Sequence, residues 1–114
     1  MELPQYVRRY AEELIGKYCH GRVPEHLKER VRHLYKVKGN TITILEERPH
    51  FMRPLLWTLS PIAQFRYTSS SKVWTLYCRD GNLKWWQFKP ENPSTNLSDL
   101  INAVERDDTN IFWG

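Results

Sequence analysis

Cysteine is scarce in this chain: Cys19 and Cys78 are its only two, and no Cys-x-x-Cys motif occurs. A disulfide framework or a zinc knuckle requires more cysteines at closer spacing, so we expect two buried thiols in a reducing compartment. No apolar run approaches the roughly 20 residues that span a membrane, and no basic and apolar leader opens the sequence. These absences predict a cytoplasmic protein with no membrane partner.

Motifs of catalysis and metal binding are also missing. No Gly-x-Ser-x-Gly elbow and no Gly-rich phosphate loop occurs, and the four histidines show no His-x₃-His spacing. Glu46 and Arg48 share one face of a predicted strand, but a metal-dependent nuclease needs a second converging carboxylate. We therefore expect no enzyme, no metal and no cofactor, and we interpret Glu46 as a cross-strand partner of His33. A nuclease-like enzyme is the least favoured alternative.

Basic and aromatic residues are plentiful. The 114 residues include 17 Lys and Arg against 13 Asp and Glu, which gives a formal net charge of +4. Five Trp, six Tyr and four Phe exceed what a small core needs, so some aromatic side chains should lie on a binding surface. The positive charge is compatible with nucleic acid or another polyanion as a partner.

The stretch from Val73 to Lys89 predicts the central hairpin. Asp80-Gly81 between two apolar runs favours a two-residue type I′ turn, which requires a positive φ at both central residues. The register of such a turn places Thr75 opposite Trp86.

With this register, one face of the hairpin carries aromatic and basic side chains together. The candidate binding residues on it are Tyr77, Arg79, Lys84, Trp86 and Phe88. A non-catalytic interaction domain that forms a homodimer through this face is our first interpretation. A single-stranded nucleic acid bound by the basic and aromatic hairpin is the alternative, because such ligands use aromatic platforms for bases and cations for phosphates.

A second hairpin is predicted from Arg32 to Arg48 around the turn Gly39-Asn40. Its register places His33 opposite Glu46 and Arg32 opposite Glu47, so the charged pairs agree with the apolar ones. Pro49 should end this hairpin, and residues 50–60 are predicted as a loop. A third strand is expected at residues 61–68.

Helices are predicted at both ends of the chain. The first runs from Pro4 to about His20 and is expected to end at a left-handed Gly21. A short helix begins at Pro24, and a last helix begins after Asn96, which can cap its amino end. The terminal Ile-Phe-Trp-Gly is too apolar for an exposed end, so we expect it to be docked on the fold.

Taken together, these elements predict one α+β domain over residues 1–114. Five strands form an antiparallel meander sheet, and the N-terminal and C-terminal helices pack on it.

Several motifs in order resemble the bacterial family called domain of unknown function 3024. They are Glu46, Arg48 and Pro49; Trp74 and Tyr77; Leu83, Lys84, Trp85, Phe88 and Pro90; and Phe112, Trp113 and Gly114. Phe51 departs from the family pattern, in which a Trp follows the Pro. The resemblance covers roughly residues 24–114 and implies one compact cytoplasmic domain, without catalytic residues to carry over.

Overall fold

Two α-helices and a five-stranded antiparallel sheet form the structure, a computed structural model that describes residues 2–114. The helices are α1 (Gln5–Arg22) and α2 (Leu97–Arg106), and a 3-10 turn lies at Glu25–Leu27. The strands are β1 (Arg32–Lys38), β2 (Thr41–Pro49), β3 (Trp57–Thr68), β4 (Val73–Arg79) and β5 (Trp85–Gln87). Each strand pairs with the next in sequence, so the α+β meander with helices at both ends is confirmed.

Helix α1 is longer than predicted. Gly21 lies inside the helix rather than at a left-handed end, and α1 stops where Val23 adopts an extended backbone. The last turn holds Arg22, whose guanidinium contacts two other elements. The short helix predicted from Pro24 is observed only as the single 3-10 turn at Glu25–Leu27.

The hairpin of β1 and β2 has the predicted register. His33 lies opposite Glu46, and Lys38 and Thr41 flank the two-residue turn. Gly39 in that turn has a φ of 59°, a conformation that glycine adopts without steric cost.

The hairpin of β2 and β3 is longer than predicted, which corrects the loop expected at residues 50–60. Pro49 is the last residue of β2 and lies opposite Trp57, the first residue of β3. The proline is tolerated because it lies at the end of the strand, and a register shift between Ile44 and Leu45 accommodates Pro61. The remaining loop leaves several large apolar side chains exposed at the tip: Phe51, Met52, Leu55 and Leu56.

The predicted register of the central hairpin is wrong. Cys78 lies opposite Trp86, not Leu83, so the connection from β4 to β5 spans five residues. The Asp80 carboxylate accepts hydrogen bonds from the backbone N–H of Asn82 (2.8 Å) and Lys84 (2.9 Å). Leu83, with a φ of 65°, takes the left-handed position that the type I′ turn assigned to Gly81. A shift of three residues moves every β5 side chain to the opposite face of the sheet.

Both helices pack on the same face of the sheet. Side chains of α1, of α2 and of the strands β2, β3 and β4 belong to one buried cluster, with Ile15, Leu100, Ile42, Phe65 and Leu76 almost fully inaccessible. Asn96 caps α2 as predicted, its side chain accepting a hydrogen bond from the Ser98 N–H.

The C-terminal tail is docked, as expected. Phe112 is buried against Phe88, with ring centroids 5.0 Å apart. The buried carboxylate of Asp107 accepts hydrogen bonds from the backbone N–H groups of Phe112, Trp113 and Gly114, at 3.0, 2.8 and 3.1 Å. Asp107 itself ends α2 in a left-handed conformation, so one residue both stops the helix and fixes the tail.

Candidate nucleic-acid interface

The second face of the sheet carries no helix among the residues that the structure describes. Side chains alternate along each strand, so residues paired with one another share a face. Tyr77 and Arg79 of β4 point away from the buried Leu76 and Cys78, and Trp85 of β5 lies opposite Arg79. We call this surface the open face.

Arginine side chains stack on aromatic rings at three places on the open face. The guanidinium carbon lies above the ring centroid in each pair: Arg32 above Trp57 at 3.8 Å, Arg66 above Tyr77 at 3.8 Å, and Arg79 above Trp85 at 5.6 Å. The pairs link neighbouring or nearby strands across the width of the sheet. All three rings are half-buried, so the stacked groups remain accessible from solvent.

Hydrogen bonds hold the middle pair in place. The Arg66 Nε donates to the Gln64 Oε1 at 2.7 Å, and the Gln64 Nε2 donates to the Thr43 Oγ1 at 3.0 Å. This chain crosses from β3 to β2 and orients the guanidinium over Tyr77. Because the side chain is already ordered, a ligand that contacts it loses less conformational entropy on binding.

The charge of the open face is strongly positive. Lys36 and Lys38 of β1 are exposed and share this face with the three stacked arginines. Glu47 is the one carboxylate that strand alternation places there within residues 2–114, and it pairs with Arg32 at 3.4 Å. A polyanion therefore meets an excess of cations on a flat, partly aromatic surface.

The five predicted binding residues do not lie together in the structure. Tyr77 and Arg79 lie on the open face, but Trp86 and Phe88 lie on the helix-bearing face, and Lys84 belongs to the loop before β5. Phe88 is buried in the core, which explains its aromatic character without a ligand.

Trp86 extends beyond the core and is 58% exposed. Its indole Nε1 donates a hydrogen bond to the Asp80 Oδ2 at 2.6 Å. Backbone hydrogen bonds from Lys84 and the bond from Trp86 hold the pKa of Asp80 below its usual range. This ionised carboxylate organises the five-residue loop.

Sequence reasoning missed three members of the open face: Arg66, Trp85 and Trp57. The sequence places Arg66 in the correct strand, but no pattern in it pairs Arg66 with the neighbouring strand's Tyr77. The predicted two-residue turn places Trp85 on the opposite face. Trp57 falls in the loop predicted at residues 50–60.

A second polar cluster lies at the edge of the helix-bearing face, around the family motif residue Glu46. The Glu46 carboxylate contacts the His33 Nε2 at 3.0 Å and the Arg48 Nε at 2.8 Å. Burial acts to raise the pKa of Glu46, but hydrogen bonds from Arg48 and His33 outweigh it, so the pKa is lowered. The cross-strand pair of Glu46 and His33 is confirmed.

Burial lowers the pKa of His33, against the raising effect of Glu46, so we assign a neutral ring at neutral pH. The neutral ring donates from Nε2 to Glu46, which leaves Nδ1 as an acceptor. Within the described part of the chain, this buried Nδ1 has no hydrogen-bond partner.

Trp113 of the tail covers this cluster. Its ring lies 4.5 Å from the His33 ring, and the Arg22 guanidinium lies 3.7 Å from its centroid. The indole Nε1 donates to the Tyr18 hydroxyl at 3.2 Å, and Tyr18 in turn donates to Glu105 at 2.8 Å. The tail thus joins α1, β1 and α2, which accounts structurally for the terminal Phe-Trp-Gly motif.

Metal-ligating side chains and the two thiols complete the description of the polar and reactive groups. No group of three metal-ligating side chains converges anywhere in residues 2–114. Burial raises the pKa of the Cys19 thiol to about 12 and also raises that of Cys78, so both thiols are poor nucleophiles at neutral pH. In the same described range, no helix has the length and apolar character needed to cross a membrane.

Comparison with known proteins identifies a family. The family model described as Domain of unknown function (DUF3024) matches residues 3–114, so the resemblance seen in the sequence extends through α1 as well. Neither a curated protein nor a solved structure matches the chain.

Proposed function

We propose that this chain, which belongs to the family described as Domain of unknown function (DUF3024), is a cytoplasmic, non-catalytic binding module for single-stranded nucleic acid. The observation that carries the proposal is the row of three arginine–aromatic pairs on the open face.

These pairs supply the two contacts that single-stranded nucleic acids need. Nucleobases stack on aromatic rings and on guanidinium planes, and each stacked base contributes about 1–3 kcal/mol. The outer surface of each stacked guanidinium also carries the positive charge that phosphates require. Lys36 and Lys38 extend this charge along β1, at the edge of the same face.

A homodimer through the open face is the second candidate function, and the charge distribution argues against it. Two copies placed face to face would bring the cations of one, such as Lys36 and Arg66, against those of the other. Glu47 alone offers a countercharge on this surface among the described residues. Juxtaposed like charges cost several kcal/mol in an interface, whereas a polyanion neutralises the same cations.

The chain contains a matched pair of tryptophans that tests the proposal. Trp85 lies on the open face and its neighbour Trp86 on the other. Trp85→Ala should weaken binding of a fluorescent oligo(dT) by about 1–3 kcal/mol, the contribution of one stacked base. Trp86→Ala should leave the affinity unchanged, because its ring lies on the other face of the sheet, where its N–H donates to the Asp80 carboxylate.

Fluorescence anisotropy at two salt concentrations completes the test. Affinity should fall steeply with salt, and Lys36→Ala should reduce the slope of log K against log salt by about 0.7, the value for one phosphate contact on a single strand. Sedimentation and thermal melting of each variant check its mass and folding. Salt-independent binding, or equal losses for Trp85→Ala and Trp86→Ala, would reject the open face as the nucleic-acid site.

A further inference from the structure

We propose that an extended acidic peptide binds along the free edge of β1, in the groove between β1 and α1. This surface lies apart from the centre of the open face and accepts a different class of partner. The strand β1 is the first in the sheet order, so one of its sides pairs with β2 and the other has no strand beside it in the described structure.

A cavity opens onto this free edge. It has a volume of about 380 Å³, within the range of sites that hold small ligands or single side chains. Leu34 and Tyr35, which point to opposite faces of the sheet, both line it. The cavity therefore includes the backbone edge of β1 itself. Gly16 and Val23 form the opposite wall from the side of α1.

The backbone of β1 offers hydrogen-bonding groups toward the cavity. Lys38 and Thr41 close a two-residue turn, so they form a hydrogen-bonded pair, and such pairs alternate along an antiparallel ladder. Lys36 and Leu34 therefore direct their N–H and C=O groups to β2. His33 and Tyr35 direct theirs to the free edge, where an added strand can pair with them.

One buried side chain in the groove, that of His33, has a ring nitrogen without a hydrogen-bond partner among the described residues. The His33 side chain is 4% exposed and lines the cavity, and within residues 2–114 its Nδ1 accepts no hydrogen bond. A buried acceptor without a donor is unfavourable. A donor of a bound peptide reaches this buried atom only when the His33 ring turns toward the cavity.

The positive charge along this edge favours an acidic peptide as the partner over a second copy of the chain. Lys28 stands at the rim of the cavity, held by contacts to the His20 carbonyl at 3.2 Å and to its Nδ1 at 3.1 Å. Lys36 and Lys38 are exposed along the strand. Two β1 edges paired together would bring these lysines against one another, whereas alternating glutamates complement them.

The probe for the test is a peptide of alternating Glu and Val with the seven-residue length of β1, acetylated and labelled with a fluorophore. Fluorescence anisotropy should give binding in the micromolar to millimolar range. Hydrogen exchange at the amides of His33 and Tyr35 should slow when the peptide is present. The same peptide with alternate amides N-methylated should not bind, because strand addition depends on its N–H groups.

Gly16 supplies a matched pair of variants. A Cβ at this position would lie 3.5 Å from the Tyr35 ring, an ordinary contact, so Gly16→Ala should retain peptide binding. Gly16→Leu should fill the groove and lower affinity by at least about tenfold, which is 1.4 kcal/mol. Lys28→Glu should have a similar effect by reversing the charge at the rim of the cavity, and Lys89→Glu, a distant substitution with the same change of charge, should have none.

Several results would overturn the proposal. They are failure of the peptide to bind at millimolar concentration, equal binding of the N-methylated peptide, and a dimer by sedimentation that Lys28→Glu strengthens. Undisturbed peptide binding by a protein that fails to bind oligo(dT) would instead reject only the nucleic-acid proposal.

Discussion

The two faces of one sheet use the same strands for different purposes. Phe65 and Arg66 are adjacent in β3, yet Phe65 is fully buried under the helices while Arg66 stacks on Tyr77 at the surface. The helix-bearing face is completed by the docked tail, and its polar groups are largely paired. The open face has ordered side chains but no covering element among the described residues.

This contrast separates residues that hold the fold from residues available for a ligand. A helix-covered face gains stability mainly from apolar area removed from water. Arginine–aromatic pairs at a half-exposed site contribute only about 0.5–1 kcal/mol each. The ordered side chains of the open face therefore contribute little to stability, and the nucleic-acid site proposed above is built from them.

Adjacent substitutions in β3 give the largest expected difference between the faces. Phe65→Ala should lower the free energy of unfolding by about 3–5 kcal/mol, because it leaves a cavity in the core. Arg66→Ala should lower it by about 1 kcal/mol or less, the contribution of a single cation–π pair. Urea denaturation with linear extrapolation measures both. Similar losses for the two variants would show that the open face is part of the structural core.

Deletion of the C-terminal tail measures how much its docking on the helix-bearing face contributes to stability. Removal of residues 111–114 should lower the free energy of unfolding by about 2–4 kcal/mol, since Phe112 is fully buried and Trp113 partly so. The deletion also leaves the Asp107 carboxylate without its three backbone donors. Removal of Gly114 alone takes away one of these three donors and no apolar side chain, so it should lower the melting temperature much less than the full deletion. An unchanged melting temperature after the full deletion would mean that the tail contributes nothing to the core.

Much of this architecture follows from sequence patterns. Apolar periodicity located both long helices, and the hairpin at Gly39 has its predicted register because the charged and apolar pairs agree along it. The family motif at Glu46 was also interpreted correctly as a cross-strand partner of His33.

The candidate site was predictable only in part, because it depends on contacts between strands. Tyr77 and Arg79 were identified, but their stacking partners, Arg66 and Trp85, are brought to them by register. That register depends on a loop whose form is decided by hydrogen bonds to Asp80 rather than by the dipeptide Asp80-Gly81. One wrongly predicted turn therefore placed three aromatic residues, Trp85, Trp86 and Phe88, on the wrong face.

Gly39 lies in the turn whose register was predicted correctly, and Gly81 lies in the turn whose register was not. Substitutions at these two glycines test that difference and have the smallest expected effect. Gly39 has a positive φ, so Gly39→Ala should destabilise the protein by about 1–2 kcal/mol, the cost of a left-handed conformation for an L-residue. Gly81 has no positive φ, and a Cβ there would meet nothing within 4 Å. Gly81→Ala should therefore be neutral or slightly stabilising, because it reduces the entropy of the unfolded chain. Thermal and urea unfolding of the two variants compare them directly. If Gly81→Ala were as destabilising as Gly39→Ala, the two-residue type I′ turn would be correct, and Trp86 would return to the open face in place of Trp85.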